Sequence, residues 1–321
     1  MLSALTHKIQ ADADDLIPKL WQVRGWSRDS APCNFPCSLM RSDIAKLKHA
    51  THSVGPKADG ERCFMLFSFV DMGGDVEDDY VALIDRTGKA RSVDVRAGAE
   101  MHSGTLLDGE LVTDAATGVS TYLVFDIITC EGASVTARSH SNRVAKLTSV
   151  VEGLRVGDPT FRIRPKPWFK YGNVTYAEVI DSIAPIKCDG LVFVPEFGRD
   201  LRVGRQVDHY KWKWCTDNTI DFVFAADELW TESRGVRVPV SELGIRCGPY
   251  TGEDGVVECM VKDGVATVVR TRPDKTAPND MEIALLTLKN IEEKITVEEL
   301  MDEGHHPPCS KRMRLSDTNL E

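Results

Sequence analysis

The continuous run Cys63-Phe64-Met65-Leu66-Phe67-Ser68-Phe69-Val70 follows directly on the polar hexapeptide Lys57-Ala58-Asp59-Gly60-Glu61-Arg62. A short apolar run of this kind predicts a buried strand, so the lysine ahead of it is expected on a loop with its ammonium fixed in place. Burial and neighbouring cations would then lower its pKa until the free amine is a nucleophile. Gly60 lets the backbone turn close to a ligand, and Arg62 brings a forked donor suited to phosphate or ribose oxygens. A lone Lys-x-Asp-Gly is more often a solvated loop lysine before a core strand, so companions elsewhere in the chain must decide.

With 321 residues, 42% of them hydrophobic, the chain can build one large core and a smaller one, which predicts two domains of a soluble globular protein. The net charge of -10 argues against a general polyanion binder, so any nucleic-acid contact is expected in a local groove. No apolar stretch of signal-peptide length follows Met1, and no run approaches the roughly 18 residues that span a bilayer. An intracellular chain without a membrane partner is expected. Nine cysteines scattered from Cys33 to Cys309 suit reduced thiols better than a disulfide framework. Cys33 and Cys37 have no matching second pair and read as loop thiols rather than a zinc site.

Along the chain, residues 12–21 predict a short helix that frays at Pro18, residues 31–36 a loop, and Ser42 the cap of a turn or two over 43–48. The strand 63–70 turns at 71–75 and returns over 81–84, ending on Asp85-Arg86. If consecutive strands pair, Lys57, Arg62 and Arg86 approach one region. Asp108 and Glu110 stand two apart in a strand and share a face. Asp126 interrupts the apolar strand 122–128, where an acid is costly unless paired, so a structural or catalytic ion pair is expected. Residues 141–154 predict an amphipathic helix, and Thr175 caps another that ends before Pro185. Asp189-Gly190 opens the strand 188–194. In Tyr210-Lys211-Trp212-Lys213-Trp214 two lysines share one face and two tryptophans the other; such lysines are kept cheaply on a solvated edge or around an anion.

From Thr219 the texture changes to short strands over 219–225, 236–240, 256–261 and 265–271, with Lys262-Asp263-Gly264 as a hairpin signal. These fit a small barrel of the oligonucleotide-binding type. A helix over 281–294 follows, then a capping box of Thr296 and Glu299. Residues 304–321, with the basic cluster Lys311-Arg312-Met313-Arg314, read as a disordered tail.

Lys57-x-Asp59-Gly60-x-Arg62, Asp108-Gly109-Glu110, Phe125-Asp126, Asp189-Gly190-Leu191-Val192, Lys211-Trp212-Lys213 and Arg272-x-Asp274-Lys275 stand in the order of the covalent nucleotidyltransferase superfamily, which the chain resembles from Lys57 to Lys275. Within it the chain is more similar to messenger RNA capping guanylyltransferases than to ligases, on Thr219-Ile220-Asp221-Phe222 and on Arg272-Pro273-Asp274-Lys275 followed by Pro278-Asn279-Asp280. In size it looks most like the compact enzymes of large DNA viruses of algae and protists. The resemblance implies an α+β fold: a nucleotidyltransferase domain of antiparallel sheets (adenylation or ATP-grasp-like) over 1–216, an OB-fold β-barrel with a closing C-terminal helix over 217–303, and the tail.

It also implies that Lys57 takes GMP from GTP as a phosphoamide, releases pyrophosphate, and passes GMP to a 5′-diphosphate RNA end. By the same resemblance Lys211 and Lys213 meet the α-phosphate, and Arg62, Arg86 and Glu110 the ribose. Phe125 and Val192 sandwich the guanine, with Lys166 a candidate reader of its O6. Asp189 and Glu110 bind Mg2+ or Mn2+ as cofactor, Arg205 and Asp221 lie on the phosphate side, and Arg272, Asp274 and Lys275 close over the nucleotide from the second domain. Implied partners are an RNA triphosphatase, a cap methyltransferase or an RNA polymerase, in the nucleus or at a viral replication site. Two departures are a valine at 192 in place of isoleucine, and Val268 and Val269 where an aromatic often stands. An ATP-dependent polynucleotide ligase shares the main motifs and stays open as a reading, as does a catalytically silent RNA-binding adaptor on the same fold.

Overall fold

The run 63–70 carries no alternation of polar and apolar residues because both faces of its strand are covered. In the computed structural model, which describes residues 2–20, 34–71, 77–197, 201 and 204–301, it lies within the strand Glu61–Asp71, inside a seven-stranded sheet. Cys63, Met65 and Phe67 pack with Leu107, Val124 and the helix His140–Gly153 through Leu147 and Val151. Phe64, Leu66 and Val70 pack on the opposite side against Ile9, Ala13 and Ile17 of the helix Leu2–Leu20. Each such side chain, fully buried, contributes about 1.5–3 kcal/mol, which makes this strand the keystone of the first lobe. The amino-terminal helix runs to Leu20, past the Pro18 at which fraying was expected, because Ile9, Ala13 and Ile17 recur every four residues and anchor one face.

A second sheet of five strands has the order Asn34–Ser38, Gly204–Lys213, Cys188–Pro195, His52–Ala58, Phe169–Lys170. One face is core: Val54, Leu191, Phe193, Tyr210 and Trp212 pack with Leu39, Leu47 and Val179. Asn34–Ser38 corrects the loop expected there. It pairs parallel to Gly204–Lys213 at the sheet edge, where Pro36 costs no interior ladder bond. Ser42 likewise is not the helix cap: it sits in a 3-10 turn, and Asp43 precedes the helix Ile44–His49.

The third sheet has six strands in the order Val236–Pro239, Glu228–Ser233, Thr219–Ala225, Gly255–Lys262, Val265–Thr271, Arg246–Cys247. Its strands wrap one core of Ile220, Phe222, Leu229, Val240, Ile245, Val257 and Ala266, closed by Ala284 of the helix Met281–Glu293. The hairpin expected at Lys262-Asp263-Gly264 forms, with Asp263 and Gly264 at φ of 51° and 71°. After this helix the chain returns to the first lobe: Ile295, Val297, Leu300 and Met301 pack under the five-stranded sheet, and the Trp212 indole donates to the Ile295 carbonyl at 3.0 Å. Among the described residues no helix is long and apolar enough to cross a membrane. The expected tail at 304–321 and most of the turn at 71–75 lie outside the described residues.

Candidate active site

Lys57 is a strand residue, not the loop residue expected from the sequence. It stands one position before the end of His52–Ala58, and only Asp59 and Gly60 separate that strand from Glu61–Asp71. Because the two strands belong to different sheets, Lys57 sits where the sheets part and form a cleft. Gly60 makes the crossing possible: a Cβ there would lie 2.6 Å from the Leu111 carbonyl oxygen. Its N–H donates to Glu110 Oε1 at 3.3 Å.

Alternation then decides what faces the cleft. In the five-stranded sheet Lys57 is in register with Gly190 and Lys213, and Gly55 with Val192 and Lys211, so these residues form two rows on the face opposite the core. Gly190 keeps the floor between the lysines bare, since a Cβ would stand 1.9 Å from the Trp212 carbonyl oxygen. A register shift between Cys188 and Gly190 releases Asp189 from the ladder, and its carboxylate turns in between both lysines. Lys57 Nζ donates to its Oδ1 at 2.9 Å and Oδ2 at 3.2 Å, and Lys213 Nζ lies 2.6 Å from Oδ2.

The electrostatics reverse one expectation. Burial works to lower the Lys57 pKa, but Asp189, Glu110 and Asp59 outweigh it and hold the ammonium above the ordinary lysine value. The depression falls instead on Lys211, through burial and the charges of Lys57 and Lys213. It falls also on Lys166, which burial lowers to about 8, with Lys57 adding to the effect and Glu110 opposing it. Burial raises the Glu110 carboxyl despite Lys57 and Lys166.

Across the cleft the seven-stranded sheet contributes Arg62, Asp108 and Glu110. The Arg62 guanidinium donates to Asp108 (Nε to Oδ1, 3.0 Å, and a second bond to Oδ2) and to both the carbonyl and side-chain oxygens of Asn34. It is stacked between Phe35 and Phe125, at 5.7 and 5.2 Å from their ring centroids. Asp108 is fully buried, and burial pushes its carboxyl up to about 6 against the pull of Arg62. Asp126 is a structural acid: Arg143 of the helix His140–Gly153 binds it at 2.8 and 3.0 Å.

Residues 4–215 match the family described as mRNA capping enzyme, catalytic domain. The chain belongs to that family. An mRNA-capping enzyme of Danio rerio is 26% identical over 310 residues, which cover 88% of this chain and 51% of the relative. The mRNA-capping enzyme subunit alpha of Schizosaccharomyces pombe is 24% identical over 348 residues, covering 92% and 86%. The chain thus spans about half the length of the Danio rerio relative. Among solved structures, a mycobacterial DNA ligase D complexed with ATP and MES aligns at 16% identity with a TM-score of 0.45, over 78% of this chain and 98% of that one.

The remaining expected site residues form a second group. Arg272 donates to Asp221 Oδ1 at 3.1 Å, to Glu258 Oε2 at 3.3 Å, and through two bonds of 2.9 and 2.7 Å to Asp274. Lys275 donates to the other Asp221 oxygen. Arg86, on the first lobe, reaches this group and donates to Asp274 Oδ2 at 2.7 Å. Arg205 stands apart at the rim, 3.9 Å from Glu282 of the closing helix.

The cleft therefore brings together Lys57, Arg62, Glu110, Phe125, Lys166, Asp189, Val192, Lys211 and Lys213. Arg86, Asp221, Arg272, Asp274 and Lys275 gather in the second cluster. Asn34 and Trp168 belong to the cleft without having been singled out from the sequence. Trp168 stands two residues after Lys166, a spacing that puts both on one side of an extended chain. Among the described residues no group of three or more His, Cys, Asp or Glu converges as a metal site. Magnesium is commonly held by one or two carboxylates plus substrate phosphates, and the neighbouring pair Asp189 and Glu110 suits that donor set.

Proposed function

We propose that the chain is an mRNA 5′-cap guanylyltransferase, with Lys57 as the residue that carries GMP. The observation that carries this reading is the Lys57, Asp189, Lys213 constellation at the cleft floor, with Lys211, which forms no ion pair among the described residues, in the adjacent row. In the first step the neutral Lys57 amine attacks the α-phosphorus of GTP. A P–N bond forms, the bond from the α-phosphorus to the bridging oxygen breaks, pyrophosphate leaves, and the nitrogen gives up one proton to solvent. In the second, a β-phosphate oxygen of 5′-diphosphate RNA attacks the same phosphorus, the P–N bond breaks, and the amine recovers its proton as GpppN forms.

Phosphoryl transfer of this kind needs charge stabilisation and in-line alignment more than elaborate acid-base groups. Lys211 and Lys213 supply cationic charge on the α-phosphate side. A Mg2+ or Mn2+ ion held by Asp189 and Glu110 would neutralise phosphate oxygens and these two carboxylates. With their charge neutralised, Asp59 is the acid still favouring the ammonium, while burial and the neighbouring lysines favour the free amine. Glu110, Arg62 and Arg86 are the ribose-side candidates, and Phe125 and Val192 the two faces for the guanine. The second lobe, an OB-type barrel in this reading, closes over the nucleotide through Arg272, Asp274 and Lys275, with Asp221 and Arg205 on the phosphate side. GTP and 5′-diphosphate RNA are the substrates; an RNA triphosphatase, a cap methyltransferase or an RNA polymerase would work beside it, in the nucleus or at a viral replication site.

The deciding experiment incubates the protein with a divalent cation and GTP or ATP labelled at the α-phosphate, and follows label retained on the denatured chain. GTP labelling that is then discharged by 5′-diphosphate RNA is expected. Labelling from ATP alone would mean a polynucleotide ligase, and none from either a silent adaptor.

A further inference from the structure

Lys166 and Trp168 follow the strand Phe161–Pro165, and the Lys166 N–H donates to the Val124 carbonyl at 2.7 Å, which ties them beside Phe125. The Lys166 side chain is one of the most buried cations described, in a residue only 5% exposed. Its ammonium lies 4.6 Å from the centroid of the Trp168 ring and 5.5 Å from that of Phe125, and takes part in no ion pair with a carboxylate among the described residues. An aromatic face is the one partner that offsets part of the desolvation of such a charge without turning it away from a ligand.

The indole is itself held on three sides. Its N–H donates to the Phe125 carbonyl at 3.3 Å. Its six-membered ring rests on Gly55, where a Cβ would come within 2.8 Å of it. The His140 ring meets it edge-on at 4.6 Å. These contacts hold the indole in place, and with it the position of the ammonium that rests on its face. Gly55 is two residues before Lys57 on the same strand, so this wall also abuts the backbone that carries the nucleophile.

The geometry points to Trp168 as a specificity-determining positioning residue, which aims the Lys166 ammonium at the ring carbonyl oxygen that guanine carries and adenine lacks. This rests on the guanylyltransferase reading of the cleft. A site built to donate to one oxygen discriminates strongly against an analogue without it, because the donor is then left buried and unpaired. Trp168 acts through Lys166 and makes no contact with the reacting phosphorus.

The test measures formation of the covalent protein–nucleotide species with GTP, ATP and the ribotriphosphate of 2-aminopurine, which is guanine without its 6-oxygen. Trp168→Leu is expected to raise KM for GTP about tenfold and KM for the 2-aminopurine nucleotide less than about twofold, with kcat for each nearly unchanged. Trp168→Phe keeps an aromatic face and restores most of the preference. Gly55→Ala displaces the indole without deleting it and falls between. Equal increases in KM for both nucleotides, or an undiminished GTP preference in Trp168→Leu, overturn the proposal. If Trp168→Leu does not fold by circular dichroism, Trp168→Phe and Gly55→Ala carry the same comparison: a GTP preference undiminished in Gly55→Ala overturns it. Wild-type protein that labels with ATP as readily as with GTP defeats the underlying functional reading instead.

Discussion

Asp189 and Asp221 each gather a cluster of cations, lysines around the first and mainly arginines around the second, and the two clusters end in opposite states. Asp189 is shared by Lys57 and Lys213, while Lys211 and Lys166 stand nearby without carboxylate ion pairs among the described residues and with depressed pKa values. Around Asp221 every cation is matched: Arg272 and Lys275 hold Asp221, Arg270 and Arg272 hold Glu258, and Arg272 and Arg86 hold Asp274. The hydrogen bonds that Arg272 donates to Asp274 accordingly raise the Arg272 pKa. The difference lies in pairing rather than in exposure, since Arg272 and Asp221 are no more exposed than Lys57 and Asp189. Cations kept from water without counter-ions carry a standing cost that an arriving anion relieves. Satisfied pairs gain little from a ligand and serve to fix geometry, and the exposed pair of Arg86 and Asp274 does so across the two lobes.

The sharpest way to break this contrast is at its centre. Lys57→Ala should abolish covalent labelling by GTP, a loss beyond detection, while the protein keeps its fold by circular dichroism. Labelling that survives would place the nucleophile elsewhere. Lys213→Ala removes one preorganised charge from the Asp189 side and should lower the labelling rate about a hundredfold under saturating GTP.

Acid stability tests whether the cost of burial is confined to the first lobe. Burial lowers His140 and His209 to about 4, so both stay neutral in the folded chain. Unfolded histidines take up protons below about pH 6.5. Stability is therefore complete above that value and falls as the pH drops toward about 4, by at most about 3 kcal/mol for each histidine. Denaturant melts at pH 7 and 4.5 measure it, and His140→Phe, which keeps a ring on Trp168, should flatten the dependence. The smallest effect belongs to the second cluster. Asp274 and Arg86 are 49% and 43% exposed, so Asp274→Ala should change unfolding free energy by less than about 1 kcal/mol. Its labelling rate should fall far less than that of Lys213→Ala, and equal losses would erase the contrast.

Much of the architecture was legible in local sequence because local physics decides it. The capping boxes at Thr175 and Thr296 form as residue types three apart dictate. The strands Thr219–Ala225 and Val265–Thr271 match their apolar runs residue for residue. The buried strand after Lys57, the shared face of Lys211 and Lys213, and the ion pair required by Asp126 were likewise open to sequence reasoning, since pattern and desolvation cost are properties of a short window. The strand Glu228–Ser233 was not, because its mixed residues give no period that stands out.

What tertiary structure alone decided are quantities set by residues far apart in the chain. Lys57 meets Asp189 across 132 positions, and that contact reverses the sign of its pKa shift. Arg62 looked like a free donor, yet Asp108 and Asn34 occupy its fork. Asn34–Ser38 becomes a strand only because Gly204–Lys213 offers an edge to pair with. A sequence names which charges exist; how they are shared depends on distance and burial, and both come from the packing of sheets that only the folded chain brings together.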